Sequence, residues 1–162
     1  MIILGLDPGF GRTGYGIINV TDKNHSSIDY GVIETNPKIP FEERLLELSQ
    51  DINTLIKQYK PDECSIEELF FGQNVKTGMK VAEARGVVLH EITKSKIPIR
   101  TYTPLQIKSA VSGYGKADKS QVQKMVTEIL DLPGIPTPDD AADALAIAAC
   151  HTFSLQNSAI NI

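Results

Sequence analysis

Residues Gly5–Gly16 read GLDPGFGRTGYG. An apolar run, Ile2-Ile3-Leu4, leads into the stretch, and glycines come after Asp7 at Gly9, Gly11, Gly14 and Gly16. The run predicts a buried strand that ends on a carboxylate. The glycine-rich residues beyond Asp7 look like a phosphate-cradling loop. They have neither the Lys-Ser/Thr ending of a P-loop nor the spacing of a dinucleotide fingerprint. Two readings stand at this point. Asp and Gly favour tight turns, so this is either a plain connection between two strands or a place where the backbone is left bare for a substrate to approach.

Outward from this stretch, residues 14–20 and 28–34 alternate as the next two strands, with Asp22-Lys23-Asn24 as the turn between them. An antiparallel meander results. Phe41, Leu45, Leu48, Ile52, Leu55 and Tyr59 then fall at helical spacing, with Glu42 and Glu43 placed to suit the helix dipole. Lys60-Pro61 ends that helix, and ECSIEELF (residues 63–70) reads as a short strand. A long helix is predicted over 74–95, a strand over 97–102 near a sheet edge because of Pro98, and a short helix over 104–111. After the basic loop SGYGKADKS, helices are predicted over 119–130 and 140–155. Three strands, helix, strand, helix, strand and further helices describe an α/β fold: a five-stranded mixed sheet flanked by helices.

Composition bounds the function. A chain of 162 residues, 41% hydrophobic, predicts one compact domain over 1–162. No apolar run is long enough for a membrane span, and no signal segment precedes the first strand. Cys64 and Cys150 lie far apart without CxxC spacing and read as buried, reduced thiols of a cytoplasmic protein. The net charge of −4 argues against nucleic acid, but its distribution does not. Between Lys76 and Lys124 there are ten Lys and Arg against three Asp and Glu. Such a local excess predicts a basic face for a polyanion; the plainer alternative is a solvated helix surface.

The acids answer the opening question. Asp7 ends one strand and Glu67 another, while Asp140 and Asp143 open the last helix and share one of its faces. Asp139 is better suited to capping that helix. The helix is otherwise rich in alanine, which lets it sit close to the sheet. Four converging carboxylates repel one another and resist burial unless cations compensate. Hard oxygen donors suit Mg²⁺ or Mn²⁺, and two such ions about 3.5–4 Å apart serve phosphodiester hydrolysis. On this reading the glycines keep the backbone beside Asp7 clear for substrate. The alternative is that the aspartates cap the helix and Glu67, with Glu68, is a solvated strand end.

The stretches GLDPGFGRTGYG, SIEELFFGQN, EARGV, YTPLQIKSAVSGYGKADKSQVQKMV and PDDAADALAIAACH, in this order, resemble the bacterial RuvC family of Holliday-junction resolvases. The resemblance implies a ribonuclease H-like fold and a structure-selective endonuclease that leaves 5′-phosphate and 3′-hydroxyl ends. It implies catalytic metal ligands at Asp7, Glu67, Asp140 and Asp143, holding two Mg²⁺ for which Mn²⁺ can substitute. Lys119 would act in catalysis and on DNA, with Lys108 and Lys116 also on DNA. An aromatic after the catalytic Glu would insert at the junction, either Phe70 or its neighbour Phe71. The family also works with a branch-migration complex of the RuvA and RuvB type. Departing from some members, this chain ends SLQNSAINI without positive charge. In the long helix Gly78, Ala82 and Gly86 form a smooth stripe, expected to be the seam of a homodimer with two equivalent active sites. Alternatively, the stripe packs on the chain's own sheet.

Two other readings compete. The first stretch also resembles the phosphate loop of actin-like and sugar-kinase ATPases, which need a second domain. A non-catalytic DNA-binding module on the same fold would not need all four acids.

Overall fold

The computed structural model describes residues 1–21, 24–69 and 75–160, with side chains to Gln156. Among them run β1 (Ile2–Asp7), β2 (Arg12–Val20), β3 (His25–Glu34), α1 (Phe41–Tyr59), β4 (Glu63–Glu67), α2 (Val75–Lys94), β5 (Ile99–Tyr102), α3 (Pro104–Ser112), α4 (Lys119–Ile129) and α5 (Asp139–Ile160). The sheet order is β3-β2-β1-β4-β5. The meander β1–β2–β3 is antiparallel, and β1–β4 and β4–β5 are parallel. Parallel neighbours need crossovers, which α1 and α2 supply. The mixed five-stranded sheet expected from the sequence is therefore present. Of the expected turn, Asp22 and Lys23 lie outside the described residues.

The sheet separates two cores. On one face Leu4, Leu6, Ile17, Cys64 and Ile66 pack with Leu48 and Ile52 of α1 and Ala84, Val88 and Ile92 of α2. On the other face Ile3 and Ile18 meet Ile107 of α3, Val122 and Val126 of α4, and Leu145–Cys150 of α5. Both cysteines are buried and unpaired, as expected. On the α5 side Tyr102 Oη lies 2.7 Å from His151 Nδ1, and His151 Nε2 lies 2.9 Å from Glu63 Oε2. Burial lowers the His151 pKa. A neutral ring that accepts from Tyr102 and donates to Glu63 satisfies all three groups, so His151 ties α5 to β4 and β5.

The glycines correct one expectation. A methyl group at Gly5 would collide with the Ala144 carbonyl, and one at Gly14 with the Asp140 carbonyl. At Gly16 it would come within 2.9 Å of Leu145. These glycines make room for α5, not for substrate. Bare strand backbone and an alanine-rich helix meet almost backbone to backbone.

Several boundaries also differ. The strand expected over 63–70 ends at Glu67. Its partners end there too: β1 stops at Asp7, and β5 stops at Tyr102, which lies opposite Glu67. The last bond to β5 runs from Glu68 N–H to the Tyr102 carbonyl, at 2.8 Å. The strand expected from 97 begins at Ile99, just after Pro98. Asp139 is a helical residue of α5 whose carboxylate turns outward to α4, so it does not serve as the expected cap.

Candidate active site

Strand alternation builds the site. On β1 every second residue, Ile3, Gly5 and Asp7, faces α5; on β4 the same holds for Glu63, Ser65 and Glu67. The parallel register pairs Leu6 with Ile66, so the next residues, Asp7 and Glu67, stand side by side at the strand ends. Asp7 also pairs with Gly14, the glycine over which the Asp140 backbone sits. Asp143 lies one turn further along α5. Two strand ends and one helix start thus bring the four expected acids together.

Their charges act on one another. Asp7 is pushed up to about 7, first by burial and then by the charges of Glu67, Asp143 and Asp140. Glu67 is raised by burial and by Asp143, with Lys108 opposing. Asp143 is raised by burial, against the pull of Lys119. Such mutual opposition is relieved by positive charge.

Two cations already reach in. Lys119 Nζ lies 3.0 Å from Asp143 Oδ2 and 3.3 Å from Asp139 Oδ2. Burial alone would lower the Lys119 pKa, but these two carboxylates hold it above the usual lysine value. Its position is set by the capping box that starts α4: Asp118 accepts from Gln121 N–H at 2.8 Å, and Lys119 is the next residue. Arg12, which sequence reading passed over, bridges Asp140 and Glu34, each at 3.3 Å. It lies inside the opening stretch, but nothing in its spacing tied it to an acid 128 positions away.

Lys108 joins Glu67, Lys119 and Asp143 in lining a cleft of about 270 Å³ whose floor is Ile107, Val122, Ala146 and Ile147. Lys116 is exposed in the turn between α3 and α4, three residues before Lys119. Phe70 and Phe71 lie outside the described residues. Gly78 and Ala82 are half-buried, and Gly86 is exposed with open space where a Cβ would stand. At Gly86 the stripe therefore faces away from the chain's own sheet.

Among the described residues no three His, Cys, Asp or Glu stand together as a ready-made metal site. Asp140 and Asp143 are drawn to Arg12 and Lys119 instead. The donor set nevertheless fits a hard divalent cation: carboxylate oxygens only, partly buried, with Asp7, Glu67 and Asp143 raised in pKa by burial and by neighbouring acids.

The family model described as crossover junction endodeoxyribonuclease RuvC matches residues 3–151. A crossover junction endodeoxyribonuclease RuvC of Ruminiclostridium cellulolyticum is 50% identical over 160 residues, covering 99% of this chain and 96% of the relative. One from Petrotoga mobilis is 51% identical over 151 residues, 93% of each. Among solved structures, Thermus thermophilus RuvC in complex with a Holliday junction substrate superposes with a TM-score of 0.92 at 33% identity. That match covers 98% of this chain and 96% of the other.

Proposed function

This chain belongs to the RuvC family of crossover junction endodeoxyribonucleases, and on that premise we propose how its residues make the cut. It is a structure-selective endonuclease that resolves four-way DNA junctions in recombination and repair, on a ribonuclease H-like fold. Asp7, Glu67, Asp140 and Asp143 hold two Mg²⁺, with Mn²⁺ as a substitute. When bound, such ions supply an activated water and charge neutralisation at the leaving oxygen of a phosphodiester. The observation that carries this assignment is the meeting of four carboxylates where β1 and β4 end and α5 begins, with Asp7, Glu67 and Asp143 raised in pKa by burial and by neighbouring acids.

The protein's own side chains do the rest. Lys119, held against Asp143, adds positive charge where the phosphate becomes more negative. Lys108 in the cleft and Lys116 in the turn before α4 take neighbouring phosphates. Arg12 and Lys119 keep Asp140 and Asp143 compensated until they are needed as ligands. Phe70 stacks on a base at the open junction, where an aromatic face contributes roughly 1–3 kcal/mol. The products carry ligatable 5′-phosphate and 3′-hydroxyl ends. One nuclease domain spans residues 1–162. A homodimer joined along Gly78, Ala82 and Gly86 places two such sites on two equivalent strands. It acts in the cytoplasm, beside a branch-migration complex of the RuvA and RuvB type; among the described residues no helix is long and apolar enough to cross a membrane.

The test is cleavage of a synthetic four-way junction with and without Mg²⁺. Asp7→Asn, Glu67→Gln, Asp140→Asn and Asp143→Asn should each abolish cleavage and keep junction binding, because each isostere preserves shape and removes a ligand. Full Mg²⁺-dependent cleavage by any one of them removes that residue from the site.

A further inference from the structure

The loop beyond Asp7 has neighbours besides α5. Phe10, three residues past Asp7, meets Phe41 edge to face with ring centroids 6.1 Å apart. Two cations lie over these rings. The Arg44 guanidinium is 5.3 Å from the centre of Phe10; Lys80 Nζ is 5.5 Å from Phe10 and 5.2 Å from Phe41. Arg44 is pinned further. Its Nε donates to Thr35 Oγ1 at 3.0 Å, and that hydroxyl donates to the Phe10 carbonyl at 3.0 Å. Lys80 stands on the inward row of α2, one turn before Ala84 and two before Val88, both fully buried. The apolar row ends there and continues as a charge beside the loop.

These cations differ from Arg12 and Lys119 in what they lack. Arg12 and Lys119 are engaged by carboxylates. Among the described residues Arg44 and Lys80 form no ion pair. An aromatic face orders a cation and leaves N–H donors available for an anion. The same stacking covers the rings, so a base does not compete for them. A backbone phosphate is the ligand that fits.

Location gives the phosphate its place. Phe10 is three residue steps from Asp7, a reach of about 11 Å at most. Successive phosphates of a duplex strand advance about 3.4 Å along the axis. An anion held here therefore sits within a few nucleotides of the bond at the carboxylates. Lys108, Lys116 and Lys119 belong to the α3–α4 side, whereas Arg44 and Lys80 belong to α1 and α2 on the opposite face of the sheet.

We propose that Arg44 and Lys80, seated on Phe10 and Phe41, bind a backbone phosphate of the junction on the α1–α2 side of the carboxylates, so that the cut strand is gripped on both sides. This rests on the resolvase reading. The test is the salt dependence of binding to a synthetic four-way junction, with Asp7→Asn as the common background to prevent cleavage. Losing one phosphate contact lowers the slope of log K against log salt by roughly 1. Lys80→Gln and Arg44→Gln should each reduce the slope in this way, and Lys80→Arg should restore it. Lys57→Gln, thirteen residues along α1 from Arg44, is about 20 Å away and should leave it unchanged.

A folded Lys80→Gln protein with the background slope overturns the assignment. So does a Lys57→Gln protein that loses as much, since the effect would then be one of overall charge. Should Arg44→Gln fail to fold, Lys80→Gln decides alone, because the Lys80 ammonium makes no hydrogen bond among the described residues. A background protein with no affinity for the junction overturns the resolvase reading and this assignment together.

Discussion

Asp7 sits where a carboxylate is least at ease, half-buried at a strand end with three more acids around it. Its folded pKa of about 7 lies above the ordinary 3.8. A group that binds its proton more tightly when folded contributes most below its unfolded pKa, and that contribution is lost as pH rises through the folded value. The metal-free protein should therefore lose stability between about pH 4 and pH 7 on account of this residue. Asp7→Asn should in chelator be more stable than the parent at pH 8 by roughly 2–4 kcal/mol and equal to it at pH 4. Denaturant unfolding at the two pH values checks this; equal gains at both would remove Asp7 as the strained group. Asp7 was legible in the sequence because an apolar run ends on it, Glu67 as an acid within a short predicted strand, and the pair Asp140 and Asp143 because three-residue spacing fixes a shared face. Arg12, Arg44 and Lys80 were not. Each reaches its partner through tertiary contact, and nothing local in the chain announces such contacts.

Helix α5 carries two of the four acids, so its seating sets the site. It lies on β1 and β2 where Gly5, Gly14 and Gly16 present no side chain. Gly5→Ala puts a methyl group into the Ala144 carbonyl and the Ala148 side chain, and neither is the end of a flexible group that can swing aside. The expected cost is about 3 kcal/mol or more, as for overpacking at a rigid contact. Thermal unfolding measures the loss. Cleavage by the protein that remains folded should fall as well, because α5 must lift and take Asp140 and Asp143 with it. A variant with parental stability and rate would show that α5 shifts without penalty. At this scale the sequence was readable in kind but not in extent. Periodicity located every helix and strand. The end of β4 depended on where β1 and β5 stop, which is a property of the neighbours. The purpose of Gly14 and Gly16 was misread for a similar reason, since a glycine in a strand looks the same whether a ligand or a helix approaches it.

The proposed assembly turns on the face of α2 that carries Gly78, Ala82 and Gly86. Ala82 is half-buried and Gly86 faces open space, so an arginine on this stripe can be accommodated by a lone protomer. Across a close helix crossing it would be an unpaired buried charge costing several kcal/mol. Ala82→Arg should then run as a folded monomer in sizing experiments and give single, unpaired nicks in a junction-bearing plasmid. A variant that stays dimeric and cuts in pairs places the seam elsewhere. The chain order of strands and helices, and with it a mixed sheet flanked by helices, was legible from the lengths and periods of the hydrophobic runs. The sheet also divides the molecule unequally with respect to change over generations. On the α1–α2 face side chains interlock, and a loss of volume at one position can be made good at another. Under α5 no such exchange exists, for nothing opposite Gly5 or Gly14 can become smaller than a carbonyl group. Sequences descending from this one are free to wander on the first face, while on the second the placement of Asp140 and Asp143 is inherited through residues that have no side chain to vary.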